Sequence, residues 1–142
     1  DVGTGAGFPG IPIALAQPVR PVTLLDSIQK KTAFLQHVIT ELDMKNVQVV
    51  TDRVERYQPA DLFDVVISRA FAELGDFIEF AGHLVAPTGV MVAMKGIYPD
   101  RELAAVTAPW RVRNVVPLEV PQLQAQRHLV LLCRLIDQKA DG

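Results

Sequence analysis

The chain has 142 residues, of which 49% are hydrophobic, and its 14 basic and 16 acidic side chains leave a formal net charge of −2. This length predicts a single globular domain over residues 1–142, and the charge balance excludes a protein that is basic throughout. Its one cysteine, Cys133, lies in an apolar run, so we expect a buried thiol, no internal disulfide and a reducing cytoplasm. These residues predict neither a membrane span nor a secretion signal.

The first ten residues, Asp1–Gly10, form a glycine-rich motif with Gly3, Gly5 and Gly7 at alternate positions. Because glycine lacks a Cβ atom, such a turn lets the backbone approach a ligand closely, which predicts a nucleoside cofactor. Dinucleotide-binding turns use the spacing G-x-G-x-x-G, whereas this motif is G-x-G-x-G followed by Phe8, so a pyrophosphate ligand is disfavoured. The alternative is a tight turn that binds nothing. Since the chain begins within this motif, we also expect most of the first strand to lie upstream.

Apolar runs alternate with helical periodicity along the rest of the chain, which predicts crossover connections and a parallel sheet. The predicted strands are Val22–Asp26, Val47–Thr51, Phe63–Ser68 and Gly89–Lys95, and the predicted helices are Pro9–Gln17, Gln29–Leu42, Leu74–Leu84 and Asp100–Val106. Two further strands, Arg111–Val120 and His128–Ile136, are separated only by a loop and should form an antiparallel pair. The predicted fold is α/β: a Rossmann-like, doubly wound, mostly parallel sheet with an antiparallel last strand.

Three packing expectations accompany these elements. Apolar residues at helical spacing predict the buried face of the second helix, made of Phe34, Leu35, Val38, Ile39 and Leu42. Phenylalanines at five positions are expected in the core, with Phe71 as a possible base-stacking exception: Phe34, Phe63, Phe71, Phe77 and Phe80. Pro87 and Gly89 are expected to mark the turn into the strand that ends at Lys95.

The ends of two predicted strands carry acidic residues, and ligands of doubly wound sheets bind beyond the carboxyl ends of the strands. Asp26 closes its strand nineteen residues after Gly7, where a carboxylate can accept both hydroxyls of a ribose; alternatively, it is the N-terminal acid of the following helix. The segment Asp52–Glu55 follows the next strand, where side chains can reach a nucleoside base; alternatively, it is a solvated helix start.

Cationic residues lie at the ends of the remaining strands. Arg69 follows a strand in an apolar neighbourhood, where burial is costly unless the guanidinium pairs with an anion or frames a substrate. Lys95 ends the next strand, with an ordinary surface lysine as the alternative, and Arg127 and His128 open the last strand. Together these cations could hold phosphate. No His, Cys, Asp and Glu cluster has metal-ligand spacing, so no metal is expected.

Six motifs in order carry a family resemblance. They are Asp-Val-Gly-Thr-Gly-Ala-Gly-Phe-Pro-Gly-Ile-Pro from residue 1, Leu-Leu-Asp-Ser from 24, Arg-Val-Glu from 53, Ile-Ser-Arg-Ala-Phe-Ala from 67, Met-Lys-Gly from 94 and Arg-His-Leu-Val from 127. Over nearly its whole length the chain resembles the class I S-adenosylmethionine-dependent methyltransferases. Within them it resembles the RsmG/GidB family (glucose-inhibited division protein B), the bacterial 16S ribosomal RNA guanine 7-nitrogen methyltransferases.

The resemblance implies that S-adenosyl-L-methionine is the cofactor and that the alternating glycines Gly3, Gly5 and Gly7 belong to its site. Gly3 and Phe8 would contact the methionine part of the cofactor and Asp26 its ribose. Val54 and Glu55 would lie at the adenosine end. Arg69 would lie at the junction of cofactor and substrate.

The resemblance also implies that Lys95, Arg127 and His128 face 16S ribosomal RNA, and that Arg69 and Lys95 serve catalysis. It implies a cytoplasmic enzyme with no membrane or metal partner, and we expect a monomer. The family carries an N-terminal helical region before the glycine motif, and this region is absent from the chain.

The reaction fits the absence of an obvious proton acceptor beside the glycine motif. A guanine 7-nitrogen has an in-plane lone pair and no proton at neutral pH, so its methylation needs positioning and desolvation more than a general base. The alternatives are a small-molecule methyltransferase and a non-catalytic cofactor-binding fragment of such an enzyme. A nicotinamide oxidoreductase would use the other glycine spacing and a Tyr-x-x-x-Lys pattern, which this chain lacks.

Overall fold

The computed structural model describes residues 1–136 and consists of two compact units. The first unit is made of Asp1–Gln58 together with Ser68–Ala70. The second unit is made of Pro59–Ile67 and the described residues from Phe71 to Ile136. Within residues 1–136, no helix combines the length and apolar character needed to cross a membrane.

The first unit contains two helices and a pair of parallel strands. Its elements are α1 (Gly10–Ala16), β1 (Val22–Asp26), α2 (Gln29–Glu41) and β2 (Val47–Thr51). The strands run in register from the pair Val22 and Val47 to the pair Asp26 and Thr51. Parallel neighbours need a crossover connection, and α2 supplies it. Both strands have the predicted bounds, and both helices lie within their predicted ranges.

The buried face of α2 differs from the predicted one. Thr32, Leu35 and Ile39 are buried, whereas the side chains of Phe34 and Leu42 are each 53% exposed. Thr32 can lie in the interior because its hydroxyl oxygen is 2.7 Å from a second threonine hydroxyl at the end of β2. The prediction that Phe34 and Leu42 are buried was therefore wrong: a hydrogen-bonded hydroxyl replaces a hydrophobic side chain on that face.

The side chain of Asn46 closes the C-terminal end of α1. Its Nδ2 atom lies 3.1 Å from the carbonyl oxygen of Ala14, 3.2 Å from that of Gln17 and 2.9 Å from that of Arg20. The last carbonyls of a helix have no partner within the helix, so this amide satisfies groups that otherwise need water. Asn46 therefore fixes the connection between α1 and β1.

The second unit contains a four-stranded sheet in the order β3-β4-β6-β5. Its elements are β3 (Phe63–Ser68), whose last residue belongs to the first unit, α3 (Leu74–Ala81), a 3₁₀ turn (Gly82–Leu84), β4 (Val85–Lys95), α4 (Asp100–Ala104), β5 (Trp110–Leu118) and β6 (Arg127–Arg134). Strand β6 runs antiparallel to both β4 and β5. The predicted antiparallel ending is confirmed.

Strand β4 begins earlier than predicted. It starts at Val85 and continues through Pro87 and Gly89, so these two residues do not form the expected turn. Gly89 is buried, and a Cβ atom there would lie 2.8 Å from the backbone carbonyl oxygen of Asp64. The glycine thus permits a close approach of two backbone segments within the strand.

Two predictions about the apolar interior need correction. Among the phenylalanines expected in the core, Phe77 is 1% exposed, but Phe80 is 37% exposed and Phe71 is only partly buried. The Phe71 ring centroid lies 5.3 Å from that of Phe77 and 6.3 Å from that of Phe80, so the three rings stack from the interior outward. Cys133 is partly buried, because alternate positions of β6 carry the buried side chains.

The interior of the second unit includes the pair of Trp110 and Arg134. Trp110 is 8% exposed, and the guanidinium carbon of Arg134 lies 4.4 Å from its ring centroid. The same guanidinium donates hydrogen bonds to the carbonyl oxygens of Gly82, Val85 and Ala86. An arginine in this position satisfies the backbone and packs on the indole at once.

Candidate functional site

The three alternating glycines all adopt left-handed backbone angles, with φ of +63° at Gly3, +57° at Gly5 and +95° at Gly7. Residues with a Cβ atom rarely adopt such angles. A Cβ atom at Gly3 would lie 2.6 Å from that of Ala70, and one at Gly7 would clash with the side chain of Ile11. A Cβ atom at Gly5 would meet no atom of residues 1–136 within 4 Å apart from its own chain neighbours. Gly5 is therefore the point at which the turn is open to a ligand.

The carboxylate of Asp26 lies beneath this turn and is 6% exposed. Its Oδ2 atom accepts a hydrogen bond from the amide of Gly5 over 2.9 Å, and its Oδ1 atom accepts one from the amide of Ile28 over 3.0 Å. The bond to Ile28 agrees with the alternative reading of Asp26 as an acid at the start of α2. Two carboxylate oxygens offer about four acceptor sites, so two hydrogen bonds leave capacity for a hydroxyl ligand.

Asp1 is a second acceptor at the turn and is partly buried. Its Oδ2 atom accepts hydrogen bonds from the hydroxyl of Thr4 over 2.7 Å and from the amide of Gly10 over 3.0 Å. Its Oδ1 atom is buried and has no hydrogen-bond partner among residues 1–136. A buried carboxylate oxygen without a donor is costly.

The segment Ser68–Ala70 packs against the glycine turn. The hydroxyl of Ser68 donates to the carbonyl oxygen of Val2 over 2.8 Å and accepts from the amide of Ala70 over 2.9 Å. The Nε atom of Arg69 donates to the carbonyl oxygen of Phe8 over 3.2 Å. Arg69 is exposed, so it does not have the apolar surroundings that were expected to require an anion or a substrate, and its role in the site stays a prediction. Its link to Phe8 nevertheless brings these two predicted site residues together.

The segment Asp52–Glu55 follows β2 as a turn. The amide of Asp52 donates to the carbonyl oxygen of Asp26 over 3.1 Å, which joins this turn to the end of β1. Val54 is partly buried and Glu55 is exposed. A nitrogen of Arg53 lies 3.6 Å from a carboxylate oxygen of Glu55, and an ion pair this exposed contributes little stability. The roles of Val54 and Glu55 at a nucleoside stay predictions.

The predicted RNA-facing residues lie in the second unit, and Lys95 is largely buried there, with a side chain that is 10% exposed. Its ammonium lies 2.9 Å from a carboxylate oxygen of Glu102, 2.7 Å from the carbonyl oxygen of Ala72 and 3.4 Å from that of Phe71. All three donors of the ammonium thus have acceptors within the unit. This geometry does not favour contact between Lys95 and RNA, which stays an untested prediction.

Arg127 and His128 occupy the start of β6, where His128 lies directly opposite Lys95 of β4. The Nδ1 atom of His128 is 2.7 Å from the carbonyl oxygen of Gly96, and a carbonyl can only accept, so Nδ1 carries the proton. The ring of Tyr98 meets the imidazole edge-on at a centroid distance of 5.6 Å. Arg127 is exposed. The imidazole is therefore held on two sides. Its second nitrogen, Nε2, is not the atom that contacts Gly96.

Three residues of these sites are absent from the sequence-based prediction. Asp1 could have been found, because it is an acid two residues before the first of the alternating glycines. Ser68 could have been found as the small polar neighbour of Arg69. Glu102 had no local signal, because its partner Lys95 lies in another element. Among residues 1–136, no three His, Cys, Asp or Glu side chains are placed to hold a metal ion.

A family model, GidB, described as rRNA small subunit methyltransferase G, matches residues 1–130. The chain belongs to the GidB family. A relative from Chromobacterium violaceum, named ribosomal RNA small subunit methyltransferase G, is 55% identical over 130 residues, which cover 92% of this chain and 62% of the relative. A relative of the same name from Herminiimonas arsenicoxydans is 50% identical over 138 residues, which cover 94% of this chain and 63% of the relative. The chain thus spans less than two thirds of the length of these relatives.

Two solved structures similar to the GidB-family chain are named as methyltransferases. The mitomycin 7-O-methyltransferase MmcR has a TM-score of 0.78 and 14% identity, over 95% of this chain and 48% of that one. A SAM-dependent methyltransferase from Aquifex aeolicus has a TM-score of 0.73 and 19% identity, over 93% of this chain and 79% of that one. Likeness at such identities establishes the fold alone. The predicted α/β, Rossmann-like fold of class I methyltransferases is confirmed.

Proposed function

We propose that this GidB-family chain belongs to an enzyme that transfers a methyl group from S-adenosylmethionine to the 7-nitrogen of a guanine in 16S ribosomal RNA. The observation that carries the proposal is the open glycine turn, where Gly5 leaves space for a ligand above the buried carboxylate of Asp26. The relatives named for methylation of small-subunit ribosomal RNA support the choice of reaction and substrate.

The residues around the turn fit this cofactor. The free capacity of the Asp26 carboxylate suits the two hydroxyls of a ribose. Gly3 and Phe8 would hold the methionine part, and Gly5 and Gly7 would keep the backbone close to the ligand. Val54 and Glu55, in the turn after β2, would hold the adenosine end.

The chemistry asks the protein mainly for orientation. When bound, S-adenosylmethionine would supply a methyl group on a positively charged sulfur: the in-line lone pair of the target nitrogen would bond to the methyl carbon while the carbon–sulfur bond breaks and S-adenosylhomocysteine leaves. The target nitrogen carries no proton at neutral pH, so the chain's own residues need only orient the base and exclude water. Arg69 would orient the target or a phosphate, because its guanidinium is exposed and tied to the carbonyl oxygen of Phe8.

For the RNA we propose contacts from Arg127 and His128 in the second unit. Arg127 is exposed, and its planar guanidinium suits phosphate or a base edge. His128 is held by Gly96 and Tyr98, so its Nε2 atom can meet a ligand with little loss of side-chain entropy. An enzyme of this kind acts where ribosomes are assembled, which supports a cytoplasmic location. The expectation of a monomer stays a prediction.

The first experiment titrates S-adenosylmethionine and, separately, NAD into the chain by calorimetry, after circular dichroism has confirmed that the chain folds. Micromolar binding of S-adenosylmethionine alone is the expected result. Binding of NAD instead would overturn the proposal. If a folded chain binds neither, the same titration is repeated with the protein extended upstream to the length of its relatives.

A second experiment tests the substrate with that extended protein. It incubates small ribosomal subunits with S-adenosylmethionine carrying a labelled methyl group and maps the label on 16S ribosomal RNA. Incorporation at a guanine 7-nitrogen is expected. Cofactor binding without any labelled RNA would point to one of the alternatives, a small-molecule methyltransferase or a non-catalytic cofactor-binding module.

A further inference from the structure

The pair of Lys95 and Glu102 makes contacts with the segment Phe71–Leu74. The Lys95 ammonium lies 2.7 Å from the carbonyl oxygen of Ala72 and 3.4 Å from that of Phe71. The Oε2 atom of Glu102 accepts a hydrogen bond from the amide of Leu74 over 2.7 Å. Both ends of this short segment are therefore attached to one ion pair.

The ion pair is well shielded from water. The Lys95 side chain is 10% exposed and the Glu102 side chain is 19% exposed, and their nearest atoms are 2.9 Å apart. A pair in this environment is screened little by salt, and removal of one partner leaves an uncompensated charge. The hydrogen bonds from this ion pair to the backbone should therefore persist, whereas an exposed lysine exchanges its partners freely.

In the sequence, the segment held by this pair lies between the predicted site residue Arg69 and the helix α3. It follows Arg69 and Ala70 directly in sequence, and Leu74 is the first residue of α3. The ring of Phe71 stacks on Phe77 at 5.3 Å, which adds a third attachment. The carbonyls at one end and the amide at the other would otherwise have to be satisfied by water.

We propose that Glu102 is a positioning residue, which acts through the ammonium of Lys95 and the amide of Leu74 to hold the segment Phe71–Leu74, and that Lys95 works in this clamp and not at the RNA. The part of the proposal that concerns RNA rests on the proposed function. The part that concerns the clamp stands on the contacts within the second unit.

Hydrogen exchange of the chain tests the clamp without RNA. Replacing Glu102 by alanine should speed exchange of the Leu74 amide by about tenfold or more, because a charge-assisted hydrogen bond protects that amide. Glu102→Gln should have a smaller effect, because its amide oxygen can still accept the bond. The matched control is Asp100→Ala, which removes an exposed carboxylate from the same helix and should leave the exchange unchanged. Unchanged exchange in Glu102→Ala would overturn the clamp.

The double variant Lys95→Met/Glu102→Met provides a second test of the clamp. Either single substitution leaves one buried charge unpaired, whereas the double substitution removes both charges. The two single losses in the free energy of unfolding should therefore add up to more than the loss in the double variant. The urea midpoint of the double variant is therefore expected above the value obtained by adding the two single shifts. Simple additivity would contradict a coupled pair.

The salt dependence of RNA binding by the extended protein tests the role of Lys95. Arg127→Gln should lower the slope of log affinity against log salt by about one unit, whereas Lys95→Met should leave the slope as in the parent. Methylation by Lys95→Met and Glu102→Gln should show a lower kcat with an unchanged KM for RNA. An equal loss of slope in Lys95→Met would overturn the assignment. If the parent binds no RNA, the proposed function fails while the exchange experiment still decides the clamp.

Discussion

The amide of Gly5 donates to the Oδ2 atom of Asp26 over 2.9 Å, so the most open point of the glycine turn is anchored by the carboxylate assigned to the ribose. Asp26 thus has two tasks, because it shapes the turn and offers acceptors to a ligand. The second oxygen, bonded to the amide of Ile28, extends the same anchor to the start of α2.

Replacing Asp26 by asparagine should weaken both tasks. The asparagine amide group has one oxygen, so either Gly5 or Ile28 would face a donor, at a cost of about 1–3 kcal/mol for a buried unsatisfied group. Urea unfolding measures this loss, and calorimetry should detect weaker binding of S-adenosylmethionine. Asp61→Asn, at an exposed position, is the control and should change stability by about 0.5 kcal/mol or less. Equal stability of the two variants would contradict the anchor.

Substitutions at Gly5 should weaken the binding of S-adenosylmethionine by more than their effect on the stability of the fold explains. Gly5→Ala introduces a methyl group into open space at a positive φ, with a conformational cost of about 1–2 kcal/mol. Gly5→Asn is larger but tolerates this backbone region better, so it should lower affinity further while it destabilises less. Gly75→Ala in α3 is the control, because a Cβ atom there would meet no side chain of the described residues within 4 Å, and this variant should be more stable by about 0.5–1 kcal/mol. Affinity that simply follows stability would refute a ligand at Gly5.

Asn46→Ala should destabilise the first unit. It removes the donor that serves the carbonyl oxygens of Ala14, Gln17 and Arg20, and we expect a loss of about 1–3 kcal/mol. Chemical unfolding followed by circular dichroism measures it. Asn114→Ala, at an exposed position of β5, is the control and should cost about 0.5 kcal/mol or less. A smaller loss at Asn46 than at Asn114 would show that water replaces the amide without penalty.

Arg69→Ala should abolish methylation by the extended protein while stability changes by about 0.5 kcal/mol or less, because the side chain is exposed. Arg69→Lys keeps the charge but lacks the planar guanidinium, so it should restore little activity. Labelled-methyl incorporation into 16S ribosomal RNA measures both variants. Unchanged turnover in Arg69→Ala would remove this residue from the site.

Local patterns predicted the elements well, because they depend on neighbours in the sequence. The bounds of β1, β2 and β3 follow from apolar runs, and the positive φ angles of the glycine turn follow from residue type. Membership of a methyltransferase family also followed from motifs, since these keep their order and spacing along the chain.

Partnerships between distant residues could not be predicted in this way. Thr32 is buried because a hydroxyl on β2 meets it, and Gly89 stays inside β4 because a backbone carbonyl approaches it. Lys95 looks like any cation at a strand end until the fold brings Glu102 to it. In each case the deciding atom lies in another element, and a single sequence does not say which side chain will meet it.

The indole of Trp110 is the only one in the chain, and it lies in the second unit beneath the guanidinium of Arg134. Its emission therefore serves as a built-in optical reporter of that unit alone, whereas circular dichroism averages over both. Melting curves from the two signals would coincide if the chain unfolds in one step and separate if the glycine-bearing unit loosens first. This one side chain thus allows the cooperativity of the whole chain to be read without any added label.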